Sequence, residues 1–446
     1  MIMFVPTNRL LLNGVMVLIS LLIVSCGRSN PKTEPRVLIN NLAITSTPIR
    51  QLGKIDKKKI LIEHDVDLKG GICILPKDIT LCARGGMLRN GMIIGNGTKI
   101  QGKNVIFDKV TIKGNWIVPE ISTKLFADLS YENSLRDVVA LANPEVKNHI
   151  VIEKGDYKVR AKKNKDVCVQ ICSNTDLILN GTIQLIPNDF EKYDIMRAKG
   201  ENIIVKGTGT IIGDKHSHIG TEGQWGMGIR LSRVTNMTVK GLTIKDCWGD
   251  CIYVGGNSRN VLIENCHLDH GRRQGISVTK ASGVTIRKCM ITNVGGSLPE
   301  YAIDIEPNKR DSVNNILIEN VTVKDCEGGF AVYRGIRKDE AKTPWIGQVT
   351  IKNCEVSCKT KVPIKIRRCE GIIIEKCSLH VQKSRTAIDI REVGKAVIQN
   401  NTLNIDGGVF AKTKTIAKKI MGRSHEPISV KLTRGAFVKN NYIFER

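Results

Sequence analysis

A short apolar triplet recurs along the second half of this chain at nearly fixed spacing, and that recurrence restricts its architecture more than any single motif. GIRLS, CIYVG, GISVT, AIDIE, GFAVY, PIKIR and AIDIR place Ile229, Ile252, Ile276, Ile303, Phe330, Ile364 and Ile388 at intervals of 23, 24, 27, 27, 34 and 24 residues. A second series follows in the same phase: NMTVKG, NVLIENC, GVTIRKC, NILIENV, QVTIKNC and GIIIEKC. A period of this size points to a solenoid, and the two-residue alternation of β-branched side chains makes its units strands. Two or three short strands per period describe one coil of a parallel β-helix, in which equivalent residues stack about 4.8 Å apart. The leucine ladder of a leucine-rich repeat is missing.

The expected class is therefore all-β, a right-handed parallel β-helix (solenoid) with an N-terminal capping helix. That helix is read over residues 134–143, with Ser134 and Asp137 as a capping pair and Pro144 as the stop; covering the first coil would protect its strand edges. The main helix is expected over 119–446 and a shorter all-β segment over 46–118. Insertions at 292–301 and 333–347 lengthen two coils on what is expected to be the binding side.

Residues 1–25 have the layout of a secretory signal: Arg9, an apolar run, then small residues. The run is too short to favour a spanning helix. IVSC, ending at Cys26, resembles the bacterial lipobox, which implies a lipid-modified Cys26, a tether over 26–45 and a place at the bacterial envelope, at the outer membrane or cell surface. Contact with the membrane would be through that anchor only. Lysine plus arginine exceed aspartate plus glutamate by 68 to 43, a formal charge of +25. For an exported protein the matching polyanion is an acidic polysaccharide rather than nucleic acid. Oligomeric state is left open. Of the fourteen cysteines, thirteen remain beyond Cys26; Cys266 and Cys289, and Cys354 and Cys377, each lie 23 residues apart after a strand. This placement fits an inward thiol ladder better than a disulfide framework.

In CIYVG and its equivalents the central position faces outward, giving a column of Arg230, Tyr253, Ser277, Asp304, Ala331, Lys365 and Asp389. Asp304 and Glu306, two apart on one strand, share a face at roughly 6.6–7 Å, a separation suited to the acid and base of an inverting glycosidase. Asp250 lies on the inward parity at a turn, and is expected to escape burial by turning to the mouth of a groove. These three carboxylates are the catalytic candidates. Arg230, Trp248, Tyr253, Arg273 and Gln274 are the candidate substrate contacts, and Trp225, Trp248 and Trp345 all fall on these coils or their insertion. His216 and His218 lack a third ligand, so no metal site is assigned.

The coil period, the helix followed by IVIEKGDYKV, and KGTGTIIGD resemble the pectin lyase-like superfamily of parallel β-helix proteins over about residues 120–446. GDCIYV is similar to the GDDCIAI element of polygalacturonase-type glycoside hydrolases, and RQGISV to their GHGISIG element, which implies that Asp250 matches a catalytic carboxylate. Gly249 stands where that family has its first Asp, Gln274 where it has His, Met227 where its NTD motif belongs, and no RIK element accompanies AIDIEPN. The expected activity is carboxylate-based hydrolysis of glycosidic bonds with no cofactor required. The alternatives are a polysaccharide lyase, with Ca2+ on Asp304 and Glu306 and Arg273 as base, and a non-catalytic glycan-binding or structural lipoprotein.

Overall fold

Each period of the sequence closes one coil. In the computed structural model, which describes residues 54–56, 58–163, 166–335, 345–382, 386–406, 427–431 and 433–445, a typical coil runs Ile252–Gly255, Ser258–Glu264 and His267–Asp269. The first two strands join a 21-stranded sheet and the third an 11-stranded sheet. Each strand pairs in parallel with its counterpart one coil later, so Ile229, Ile252, Ile276, Ile303, Phe330, Ile364 and Ile388 are direct partners in sequence. All seven are fully buried. The column from Arg230 to Asp389 holds register by register as the alternation predicts, but Ser277, Asp304 and Ala331 within it are buried instead of open to solvent.

Corners are made by residues in the left-handed region, where asparagine is tolerated far better than β-branched residues. Asn174, Asn202, Asn236 and Asn260 occupy one corner with φ of 52–56°, and Asn265, Lys288, Asn353, Lys376 and Asn400 another with φ of 53–57°. At the second corner the next side chain turns inward. The thiols of Cys266, Cys289, Cys354 and Cys377 donate to the carbonyl two residues back and to one on the preceding coil, for Cys354 Lys352 O at 3.2 Å and Ile318 O at 3.8 Å. Asn401 and Asn441 continue the column, and their Nδ2 groups donate to Ile374 O and Ile398 O, both at 3.1 Å. Cysteine and asparagine thus do one job here, adding a side-chain donor to corner carbonyls, several of which also accept a backbone amide, such as Glu375 O from Asn353 N at 3.0 Å. All thirteen described cysteines are free, twelve of them buried.

Strands between Lys54 and Ile117 form their own seven-stranded sheet, almost wholly parallel. One buried apolar cluster nevertheless runs from Ile60 to Ile405, and all described residues lie in a single unit, Thr47–Arg446. The helix is shorter than the sequence pattern suggests, Ser134–Val139, and its cap differs. Asn133, at φ 64°, is the N-cap; Ser134 Oγ donates to Leu129 O, while Asp137 accepts from Ile112 N and Tyr131 Oη. As expected the helix covers the first coil of the main stack, packing against Asp156–Val159 and Asp166–Ile171, while its other side meets Phe107–Ile117. The signal segment, Cys26 and the tether lie outside the described residues, as does part of the 333–347 insertion.

Candidate functional site

Three successive coils bring together side chains far apart in sequence. Asp250 ends the turn before Ile252–Gly255; Arg273 and Gln274 end the turn before Ile276–Val278; Asp304 lies within Tyr301–Ile305, with Glu306 next but one. Asp250 does not open onto a groove. It is fully buried, its amide donates to Met227 Sδ at 3.4 Å, and its carboxylate accepts from Arg273 Nη1 at 3.1 and 3.2 Å and from Ser277 Oγ at 2.6 Å. An inward carboxylate is stable there because the next coil delivers a cation and a hydroxyl to it, which compensates for lost hydration. Burial raises the Asp250 pKa, and the Arg273 charge and Ser277 bond offset part of that rise.

Ser277 is in turn the register partner of Asp304. Asp304 is 4% exposed and accepts from Gln274 Nε2 at 2.9 Å, while Gln274 Oε1 accepts from Tyr301 N at 2.8 Å, which fixes the amide's orientation. Burial, then the charge of Glu306, push the Asp304 pKa up to about 8 against the partial relief of Arg273. Asp304 therefore holds its proton at neutral pH, beside a half-buried Glu306. Arg273 sits among all three acids: burial pulls its pKa down, but Asp250, Asp304 and Glu306 hold it above the ordinary value. Its Nε is buried without a partner.

The expected substrate contacts divide. Arg230 and Tyr253 line the column half-buried, with the guanidinium 4.3 Å from the ring centre and Tyr253 Oη 2.7 Å from Thr279 Oγ1. Gln274 is fully buried and serves Asp304 instead of facing solvent. Trp248 is 7% exposed: His218 stacks on it at 3.9 Å, Arg272 lies over it at 3.7 Å, and its Nε1 donates to Glu222 O. It holds the 216–224 loop down and offers no free face to a sugar. His216 and His218 part company, the first pairing with Asp246 at 3.2 Å and the second, buried, with Asp214 at 2.9 Å. Asp214 also accepts from Tyr193 Oη. Trp345 lies away from the acids, beside Ser312 and Asn314.

Asp194 escaped the sequence reading. It is 1% exposed and accepts from Arg230 Nε at 2.7 Å and Arg197 Nε at 2.6 Å, so it anchors the first arginines of the column. Its signal was available: Asp194 stands three residues before Arg197, in a strand equivalent to that of Met227 and Arg230.

Residues 188–338 match the family model described as "Right handed beta helix region". The SPbeta prophage-derived uncharacterized protein YorA of Bacillus subtilis (strain 168) is 27% identical over 209 residues, covering 42% of this chain and 35% of that protein. The uncharacterized protein YclG of the same organism is 28% identical over 202 residues, covering 39% and 34%. The chain spans about a third of the length of these curated relatives. Among solved structures, the A-module of the mannuronan C-5 epimerase AlgE6 of Azotobacter vinelandii is similar with a TM-score of 0.51 at 12% identity, covering 73% of this chain and 98% of that one. An exopolygalacturonase of Thermotoga maritima gives a TM-score of 0.44 at 14% identity, covering 74% and 92%. By its strand register and its likeness in fold to the epimerase module, and by the right-handed β-helix region matched over residues 188–338, this chain folds as a right-handed parallel β-helix.

Proposed function

We propose that the protein is a carbohydrate-active enzyme that hydrolyses glycosidic bonds of an acidic polysaccharide, with Asp304 as general acid and Glu306 as general base. One observation carries this reading: buried Asp304, its pKa pushed up to about 8, stands two residues before the half-buried Glu306, whose charge reaches it, and a carboxyl held protonated by its setting is suited to act as the acid. Two residues of extended chain separate their Cα atoms by roughly 6.6–7 Å, a spacing compatible with a water between the carboxyls in an inverting displacement. Asp304 would protonate the leaving oxygen while Glu306 takes a proton from the water attacking the opposite face. Asp250 acts as a positioning residue, holding Arg273 and Ser277. Arg273 and Lys365, whose charges reach Asp304, would meet the acidic groups of the chain.

Elimination is less favoured by the same geometry. Its base would be Arg273, whose guanidinium Asp250 keeps protonated, and Ca2+ on Asp304 and Glu306 would compete with the Gln274 donor. The test is to incubate the purified protein with a panel of acidic and neutral polysaccharides. New reducing ends without ultraviolet-absorbing unsaturated product, lost in Asp304→Asn and Glu306→Gln, support hydrolysis. A chelator-sensitive unsaturated product would replace it with elimination, and no cleavage of any substrate would leave a binding role. Anchoring at the envelope through Cys26 is part of the proposal, tested by whether Cys26→Ala abolishes partition into detergent.

A further inference from the structure

A second concave surface follows the later strand of each coil, away from the acidic column. It encloses about 970 Å³. One wall is the asparagine corner: Asn202 Nδ2 donates to Asn174 Oδ1 at 3.2 Å, Asn236 to Asn202 at 3.1 Å and Asn260 to Asn236 at 3.2 Å. A carboxamide has two N–H groups and two acceptor lone pairs, so each rung of the ladder keeps a donor and an acceptor for a ligand. The floor is apolar, with Ile204, Leu262 and Leu317.

The ladder breaks at one place. Gly283 takes the corner position with φ +68°, where a Cβ would come within 3.1 Å of Asn260 Oδ1, and the next coil resumes with Asn315. The gap from Asn260 to Asn315 is two coil steps, roughly 10 Å. Beyond it a hollow of about 570 Å³ shares Asn260 with the groove and ends at Trp345. That indole is 39% exposed and rests on Gly347, where a Cβ would meet its Cη2 at 2.4 Å. In the groove Asp176 pairs with Lys206 at 2.9 Å and Arg287 with Glu264 at 2.7 Å, leaving Lys147 at the first coil, and Arg259 lines the adjoining hollow.

We propose that this groove is a second, non-catalytic carbohydrate site that takes a neutral polysaccharide chain lying along the coil stack. Hydroxyl groups need a donor and an acceptor at one point, which a spare amide edge supplies. The notch at Gly283 seats one ring, and Trp345 offers a flat apolar face to another. The lining is mainly carboxamide and apolar surface, which suits the hydroxyl groups of a neutral chain. From Asn174 to Asn315 the groove covers five coil steps, roughly 24 Å, enough for several sugar rings.

Affinity electrophoresis of the full-length protein through gels containing xyloglucan, galactomannan or mixed-linkage β-glucan tests it. Wild type and Asp304→Asn are expected to be retarded by at least one of these. Gly283→Asn, which fills the notch with the residue that takes the same backbone conformation on neighbouring coils, and Trp345→Ala are each expected to weaken retention at least tenfold. Both variants should melt as wild type does. Retardation of wild type by none of the three, or undiminished retention of both groove variants, overturns the proposal. Loss of retention in Asp304→Asn alone would move the binding to the acidic column and also overturn it, whatever the outcome for cleavage.

Discussion

Replacing Asp304 by Asn should stabilise the protein while abolishing cleavage. The carboxyl has a pKa of about 8 in the folded chain against an ordinary value of 3.8. Below the lower value both states are protonated and nothing is lost. As pH rises the unfolded chain ionises while the folded one keeps its proton, so wild-type stability falls until the folded pKa is passed. At pH 7 the accumulated loss is about 1.4 kcal/mol for each of roughly three pH units, or about 4 kcal/mol. The carboxamide that Asp304→Asn introduces would not ionise, and its oxygen can still accept from Gln274 Nε2. The variant should therefore exceed wild type by up to about 4 kcal/mol at pH 7 and by less than about 1 kcal/mol at pH 4. Over a unit spanning Thr47–Arg446, at ~2.1 cal/mol/K per residue, this corresponds to a Tm rise of about 5 °C. Thermal melts followed by circular dichroism from pH 4 to 8 read it directly. A variant that is less stable than wild type by the same amount at both ends of that range would refute the assignment of a neutral Asp304.

Arg273→Met should destabilise by about 3–5 kcal/mol, because it strands the Asp250 carboxylate without its cation. Adding Asp250→Asn should restore most of that loss, as measured by urea unfolding of the single and double variants. In native protein a thiol reagent should reach Cys172 well before the other twelve described cysteines, which should react only after unfolding. Cys377→Asn should lie within about 1 kcal/mol of wild type, because Asn401 already performs similar bonding one coil later, and Cys377→Ala should lose about 0.5–1.5 kcal/mol by removing the thiol's bonds to Glu375 O and Ile351 O, since Glu375 O keeps the Asn353 amide at 3.0 Å.

The repeat makes the register legible from sequence alone, because the inward triplets have period two within a strand and a near-constant interval between strands. Every member of the Arg230 to Asp389 column follows from that arithmetic. The pairing of buried charges does not. Alternation places Asp250 on the inward parity, but the cation that makes burial tolerable arrives 23 residues later, from a turn whose conformation no periodicity describes. Trp248 is covered for a related reason: its neighbours His218 and Arg272 come from two different loops. Both the helix cap and Asp194 depend on local geometry, a left-handed Asn133 in one case and a strand preceding the recognised repeats in the other.

A stack of equal steps also works as a ruler. Asp250, Gln274 and Asp304 occupy three consecutive rungs, and the Gln274 to Asp304 bond spans one of them. Inserting a single extra rung between Gln274 and Asp304 would move the acid away by about 4.8 Å, sever that bond and return Asp304 to a different electrostatic setting. The same insertion past Ala387 would lengthen the rod and leave the spacing of the acids untouched, so overall length and active geometry can change independently in a chain built this way.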